Sequence, residues 1–147
     1  MYVGEIELIV RLVLAAILGA IIGFEREAKN KPAGVRTHSL VSLGACIFTL
    51  ASIGFGLLDA RVEPSRIAAG IVTGIGFLGA GAIFRSENKV SGLTTAADLW
   101  VVAAIGLAVA LGEYFMAVTA TAIAFFILYS ARVVYIRKSR NRKAGKR

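Results

Sequence analysis

The sequence predicts an all-α, polytopic integral membrane protein with about five transmembrane helices. The 147 residues are 57% hydrophobic and 18% charged, with a mean hydropathy of +0.75, whereas soluble domains carry roughly 45–50% apolar and about 25% charged residues. The charges are clustered, and long uncharged runs separate the clusters. Because so short a chain cannot bury five such runs as a water-soluble core, we expect the runs to face lipid.

The apolar runs place the five helices at about residues 6–24, 38–58, 65–84, 93–111 and 114–136. Each run has the length that a hydrocarbon core of roughly 30 Å requires. Arg11, near the start of the first helix, is expected to extend to the membrane surface. Gly19 and Gly23 on the same helix should let a neighbouring helix approach closely. Proline and glycine end the first helix, and Pro64 is typical of a first helical turn.

The basic residues predict the orientation. With five spans, fourteen Lys and Arg residues fall on the side of the C-terminus and only Arg61 and Arg66 on the other. The positive-inside rule therefore predicts an external N-terminus and a cytoplasmic C-terminus. We divide the chain into a transmembrane domain, 1–136, and a basic cytoplasmic tail, 137–147. Because the tail directly follows a membrane helix, we expect it to contact anionic lipid rather than nucleic acid.

Asp98 is the leading functional candidate because an acid inside an apolar helix is costly. Thr94 and Thr95 lie four and three residues earlier, on the same helix face. The predicted topology brings the unusual polar residues to the cytoplasmic side, where we expect one cluster. Its members are Asp98, Glu25, Arg26, Glu27, Arg36, Thr37, His38, Arg85, Thr94 and Thr95. The alternative is structural, since Thr95 and Asp98 also fit a capping box.

The glycines at 70, 74, 76, 79 and 81 are interpreted as helix-packing residues. Three of them, at 74, 76 and 79, match the G-x-G-x-x-G pattern, but a dinucleotide site needs a flanking βαβ unit and this match lies inside one apolar run. The glycine-rich helix faces are more extensive than packing among the five helices of one chain requires, so we expect a homo-oligomer. One cysteine excludes an intrachain disulfide, and one histidine makes a transition-metal site improbable.

Two segments of the chain resemble a known protein family. The segments 23–45 and 74–114 are similar to the MgtC/SapB family of bacterial membrane proteins, and the resemblance covers most of residues 5–130. The motifs GxERE, KPAGxRTH, GxGFLGAG and GLTTAAxLW occur in order. The family's acid after TTAA falls on Asp98. Its GxERE and RTH elements fall on Glu25, Arg26, Glu27, Arg36, Thr37 and His38.

The resemblance implies an inner-membrane protein linked to growth in low magnesium and to survival inside phagocytes, hence to virulence. It also implies modulation of other membrane complexes, ATP synthase among them. Many members carry a soluble C-terminal domain, whereas a basic tail follows the membrane part here, so we expect a member with the membrane domain only.

We therefore expect a non-enzymatic membrane regulator that needs no cofactor, binds other membrane proteins and acts under low magnesium or acid stress. The alternative is a transporter of magnesium, protons or a small solute that uses Asp98. The sequence shows no clear internal repeat, and no proline interrupts the predicted helices. Both observations favour the regulator over the transporter. An enzyme acting on lipid is the third hypothesis, and no recognisable catalytic set supports it.

Overall fold

The computed structural model describes residues 4–58, 61, 63–87 and 89–144, with side chains as far as residue 130. This part of the chain forms five helices: α1 Glu5–Glu27, α2 Val35–Leu58, α3 Ser65–Gly81, α4 Leu93–Leu111 and α5 Tyr114–Ala144. The predicted all-α class is confirmed. The backbone of α5 stays helical past its predicted end at residue 136, and the side chains of the basic tail lie outside the described residues.

Helices α1 and α2 form a tightly packed antiparallel hairpin. A Cβ built on Gly19 would lie 2.6 Å from the carbonyl oxygen of His38, and one on Gly23 would lie 2.6 Å from the Cα of Val35. The close approach predicted at these glycines is therefore present. Asn30 adopts a positive φ of 51° in the turn, a conformation that asparagine tolerates better than most residues.

A short β-hairpin joins α3 to α4, where the sequence predicts a loop. Strand β1, Phe84–Ser86, pairs antiparallel with β2, Lys89–Ser91. The predicted end of the third helix at residue 84 is therefore wrong, because α3 ends at Gly81. A short apolar run does not by itself distinguish helix from strand, so the hydropathy pattern misplaced this end.

Gly92 connects the hairpin to α4 through a conformation that requires glycine. Its φ is +89°, and a Cβ there would lie 1.8 Å from the carbonyl oxygen of Ala82. Helix α4 then runs over Leu93–Leu111, as predicted, and Gly112 ends it with a second positive φ of 82°.

Helix α4 is the centre of the bundle and contacts all four other helices. Its buried residues include Leu99, Val102 and Val109. Gly106 provides the closest approach to α2, since a Cβ on it would lie 2.1 Å from the carbonyl oxygen of Ser42. The core is thus an α1–α2–α4 unit, to which α3 and α5 are added.

The outer surface is strongly apolar. Phe115, Phe77 and Leu58 are 86%, 83% and 78% exposed, and many other large hydrophobic residues on the helices are exposed as well. Helices α1, α2 and α4 are long and apolar enough to cross a membrane, while α3 and the Tyr114–Ser130 part of α5 are apolar but shorter. Apolar surface of this extent is rare on soluble monomers, so lipid is its natural environment.

Arg11 is buried, not extended to the surface as predicted. Its side chain donates to the carbonyl oxygen of Ala110 in the last turn of α4 and pairs with Glu7. The guanidinium carbon also lies 6.0 Å from the ring centre of Tyr114. The last carbonyl groups of a helix lack intrahelical donors and carry partial negative charge, so they attract a cation into the bundle.

Candidate functional site: a buried ion-pair network

Asp98 projects from the second turn of α4 into the junction with α1 and α2. The Nε atom of Arg26 lies 2.8 Å from its Oδ2 atom, and the Nε2 atom of His38 lies 3.2 Å from its Oδ1 atom. The side chains of Arg26 and Asp98 are 5% and 4% exposed, and that of His38 is 0% exposed. One carboxylate therefore joins three helices in a site shielded from solvent.

Glu25 and Lys29 extend this network towards α5. The Nη1 atom of Arg26 lies 3.8 Å from Oε2 of Glu25, whose other oxygen pairs with Lys29. The ammonium of Lys29 also donates to the carbonyl oxygen of Leu128 at 2.5 Å. Lys29 was predicted only to be one of the fourteen basic residues on the C-terminal side of the membrane. Its spacing of four residues after Glu25 was the available signal for this pair.

Thr95 belongs to the network rather than to a helix cap. The Nη2 atom of Arg26 donates to the hydroxyl oxygen of Thr95 at 3.3 Å. Helix α4 begins two residues before Thr95, after Gly92, and no side chain caps its N-terminus. The capping-box alternative for Thr95 and Asp98 is therefore wrong, because the glycine turn starts the helix earlier than that motif requires.

His38 faces a hydrogen-bond acceptor on each side of its ring. Its Nδ1 atom lies 2.9 Å from the carbonyl oxygen of Gly34, and its Nε2 atom faces the carboxylate of Asp98. A neutral imidazole carries only one N–H, whereas the imidazolium carries two. Both contacts can therefore be hydrogen bonds at the same time in only two arrangements. Either both ring nitrogens carry a proton, or Nδ1 carries one and the carboxyl group of Asp98 carries the other.

Several buried polar atoms of the network make no hydrogen bond in the described part of the chain, including both carboxylate oxygens of Glu25. The contact between Arg26 Nε and Asp98 Oδ2 is short, but it lacks hydrogen-bond alignment and acts as an ion pair. The charges nevertheless balance, since two acids face Arg26 and Lys29. Burying such charges is costly even when they are paired, and removing one partner costs more because the other charge is left uncompensated.

The other predicted members lie outside this network. Glu27 accepts a hydrogen bond from the backbone N–H of Val35 at 2.9 Å and so satisfies the first turn of α2. Arg36, Thr37, Arg85 and Thr94 are exposed. Five of the ten predicted residues therefore meet around Asp98: Asp98 itself, Glu25, Arg26, His38 and Thr95.

The predicted packing glycines of α3 differ in their surroundings. A Cβ on Gly79 would lie 3.5 Å from that of Ala96 on α4. A Cβ on any of the other four would meet no atom within 4 Å, namely at Gly70, Gly74, Gly76 and Gly81. The G-x-G-x-x-G match lies within this helix, without the strand that a dinucleotide fingerprint requires.

The described residues contain no group of three or more His, Cys, Asp or Glu side chains that could hold a metal ion. The acid of the network, Asp98, is instead occupied by a guanidinium and an imidazole. The fold and the site together define an α-helical membrane protein with a buried ion-pair network between three helices.

The comparison with known sequences identifies the family. The sequence model of the MgtC family matches residues 12–136, and the chain belongs to this family. The MgtC protein of Salmonella typhimurium is 48% identical over 115 residues, which cover 78% of this chain and 48% of that protein. YhiD of Escherichia coli K12 is 43% identical over 128 residues, covering 83% and 59% of the two chains.

An uncharacterized protein of Haemophilus influenzae is also similar, with 44% identity over 130 residues that cover 84% of this chain and 53% of that protein. The chain thus spans about half the length of the relatives it matches. No solved structure matches it significantly.

Proposed function

We propose that the chain crosses the bacterial inner membrane five times, with its N-terminus outside and its C-terminus in the cytoplasm. The apolar character of α3 and of Tyr114–Ser130 supports two spans beyond the three long helices, since a short span is tolerated where the bilayer thins. The fourteen basic residues on one side support the orientation.

The orientation predicts where the tail can be cut. Trypsin added to sealed inside-out vesicles should cleave within residues 137–147, because these residues face the bulk solution there. Sealed right-side-out vesicles should protect the tail until detergent opens them. A tail that is cut only in right-side-out vesicles would reverse the proposed orientation.

We further propose that the protein is a non-enzymatic, magnesium-related regulator that acts on other membrane complexes, ATP synthase among the candidates. The resemblance to its family supports a link to magnesium and to growth under stress, such as low magnesium or acid. The single observation that carries the choice of mechanism is the contact between Arg26 and Asp98 at 2.8 Å. Magnesium prefers carboxylate and water oxygens, and this carboxylate is already neutralised by a guanidinium.

The competing hypothesis is cation transport. The name of YhiD proposes it as a magnesium transporter, and an acid within a membrane helix is a common element of ion pathways. In a transporter of this kind, a cation would have to displace Arg26 from Asp98. In a regulator, the same ion pair instead fixes the surface that α1, α2 and α4 present to a partner.

Flux through reconstituted protein separates the two hypotheses. We expect sealed liposomes that contain the folded protein to pass no more magnesium or protons than empty liposomes. The Asp98→Asn variant should keep its overall fold, because the amide retains the shape of the side chain, but it should be less stable because the charge is lost. It should also lose the physiological activity. The exposed acid Glu113 provides the matched control, as Glu113→Gln should change neither property.

The competing transport hypothesis predicts the opposite result. Magnesium or proton flux that is lost in Asp98→Asn and kept in Glu113→Gln would make the protein a transporter and contradict the regulator. If flux is absent, crosslinking in the native membrane should recover a membrane complex with the unaltered protein and lose it with Asp98→Asn.

A further inference from the structure

An open groove runs between α2 and α3, with α4 at its base. Its volume is about 1070 Å³. Its lining is apolar or small, apart from Thr37 and two arginines. The residues of the base are Ala45, Ile75 and Ala103, which form one packed cluster. None of the network residues around Asp98 lines this groove.

Three glycines keep the groove open. Gly44 on α2 and Gly70 and Gly74 on α3 all line it, and a Cβ at any of them would meet no atom within 4 Å. A Cβ at these positions would meet open space, so the described fold does not require glycine there. The absence of side chains here is therefore explained by neither backbone strain nor packing within the chain.

The two arginines lie at opposite ends of the groove. Near one end of α2, the hydroxyl of Ser52 donates to the carbonyl oxygen of Pro64 at 2.6 Å, directly before α3. Ala45 meets Ile75 further along, so the two helices run antiparallel. Arg36 in the first turn of α2 and Arg66 in the first turn of α3 therefore mark the two ends.

Neither arginine has an electrostatic partner for its side chain among the described residues, and no acid lines the described groove. We propose that the groove binds the acyl chains of anionic phospholipids, with a phosphate at Arg36 and another at Arg66. A guanidinium matches the geometry of a phosphate, with which it forms paired hydrogen bonds. The apolar groove between the two arginines accepts hydrocarbon, and the glycines leave the space that it fills.

A second copy of this chain is a weaker candidate for the occupant. In a two-fold symmetric dimer across this groove, each arginine would approach its own counterpart. The groove offers no carboxylate to separate those like charges. A phosphate on each membrane surface satisfies both arginines instead.

Native mass spectrometry of the purified full chain tests this inference. The protein would be equilibrated with micelles that contain phosphatidylglycerol or phosphatidylcholine, and the lipid retained on each chain would be measured. We expect preferential retention of phosphatidylglycerol. Arg36→Gln and Arg66→Gln should each lower this affinity about fivefold, since a basic residue near the surface contributes about 1 kcal/mol to the binding of anionic lipid.

Matched variants test the groove itself. Gly74→Leu should lower phosphatidylglycerol retention because the leucine occupies the groove. Gly76→Leu should not, because Gly76 is equally open but does not line the groove. Arg85→Gln controls for charge, since Arg85 lies on β1 outside the groove. If Gly74→Leu fails to fold, the two arginine variants and Arg85→Gln still decide the question.

Two results would overturn the inference. Equal retention of both lipids by all variants would mean that only ordinary surrounding lipid is bound. A dimer that dissociates in Gly74→Leu, with unchanged lipid retention, would assign the groove to a second copy of the chain. Both outcomes leave the flux experiment unaffected, because the groove does not include Asp98.

Discussion

Replacing Asp98 by alanine should lower the free energy of unfolding by about 3–5 kcal/mol. The substitution leaves Arg26 and His38 buried without the carboxylate that joins them. The charge of Arg26 then faces only Glu25, whose Oε2 atom is 3.8 Å away. Reversible unfolding in detergent micelles, followed by circular dichroism, measures this change.

Two comparisons make that result specific. Glu113→Ala removes an exposed acid and should change the free energy of unfolding by less than about 0.5 kcal/mol. The double substitution of Asp98→Leu and Arg26→Met should be less destabilising than Asp98→Ala alone, because no member of the pair is left unpaired. If Asp98→Ala unfolds like the unaltered protein, the network does not hold the three helices together.

Replacing Gly106 by alanine should lower the free energy of unfolding by about 2–3 kcal/mol. The added methyl group would lie 2.1 Å from the carbonyl oxygen of Ser42, which is backbone and cannot rotate away. Helices α2 and α4 must then separate, and the core around α4 loosens. The same unfolding experiment in micelles measures the effect.

Gly54 on α2 provides the control for Gly106. A Cβ on Gly54 would meet no atom within 4 Å, so Gly54→Ala should stabilise the protein by about 0.5–1 kcal/mol through its helix propensity. The two substitutions are chemically identical and should have opposite signs. Equal effects would show that α2 and α4 do not approach each other through Gly106.

The sequence predicted the helices well where hydropathy and glycine agree. Helix α4 was placed correctly, because a glycine stands at each of its ends and both adopt a positive φ. The β-hairpin after α3 was missed, since Ile83 and Phe84 extend the apolar run without showing where the helix stops. Local hydropathy reports burial from water, not the hydrogen bonding that distinguishes strand from helix.

The residues at the centre of the candidate site were predicted correctly from the sequence, but the residues at its edges were not. Asp98, Arg26 and His38 were found because polar residues at the ends of apolar helices are unusual. Arg36 and Arg85 were included only because they share the same side of the membrane, and that argument does not determine which way a side chain faces. Arg11 was misjudged because the attraction of a helix end is visible only once α1 and α4 are paired.

The two buried arginines of α1 also restrict how the molecule can move. Arg11 binds the carbonyl oxygen of Ala110 in the last turn of α4, and Arg26 pairs with Asp98 in its second turn. Helix α1 therefore contacts α4 through a buried arginine near each end. A piston-like or screw-like displacement of α4 against α1 would have to break one of these attachments. Within the described residues, no side-chain hydrogen bond or ion pair joins α3 to α4, and the buried residues of α3 are Ile75 and Gly79. The pairing of α1 with α4 is therefore fixed by buried polar contacts near both ends, whereas the pairing of α3 with α4 depends on packing and on the β-hairpin that joins them.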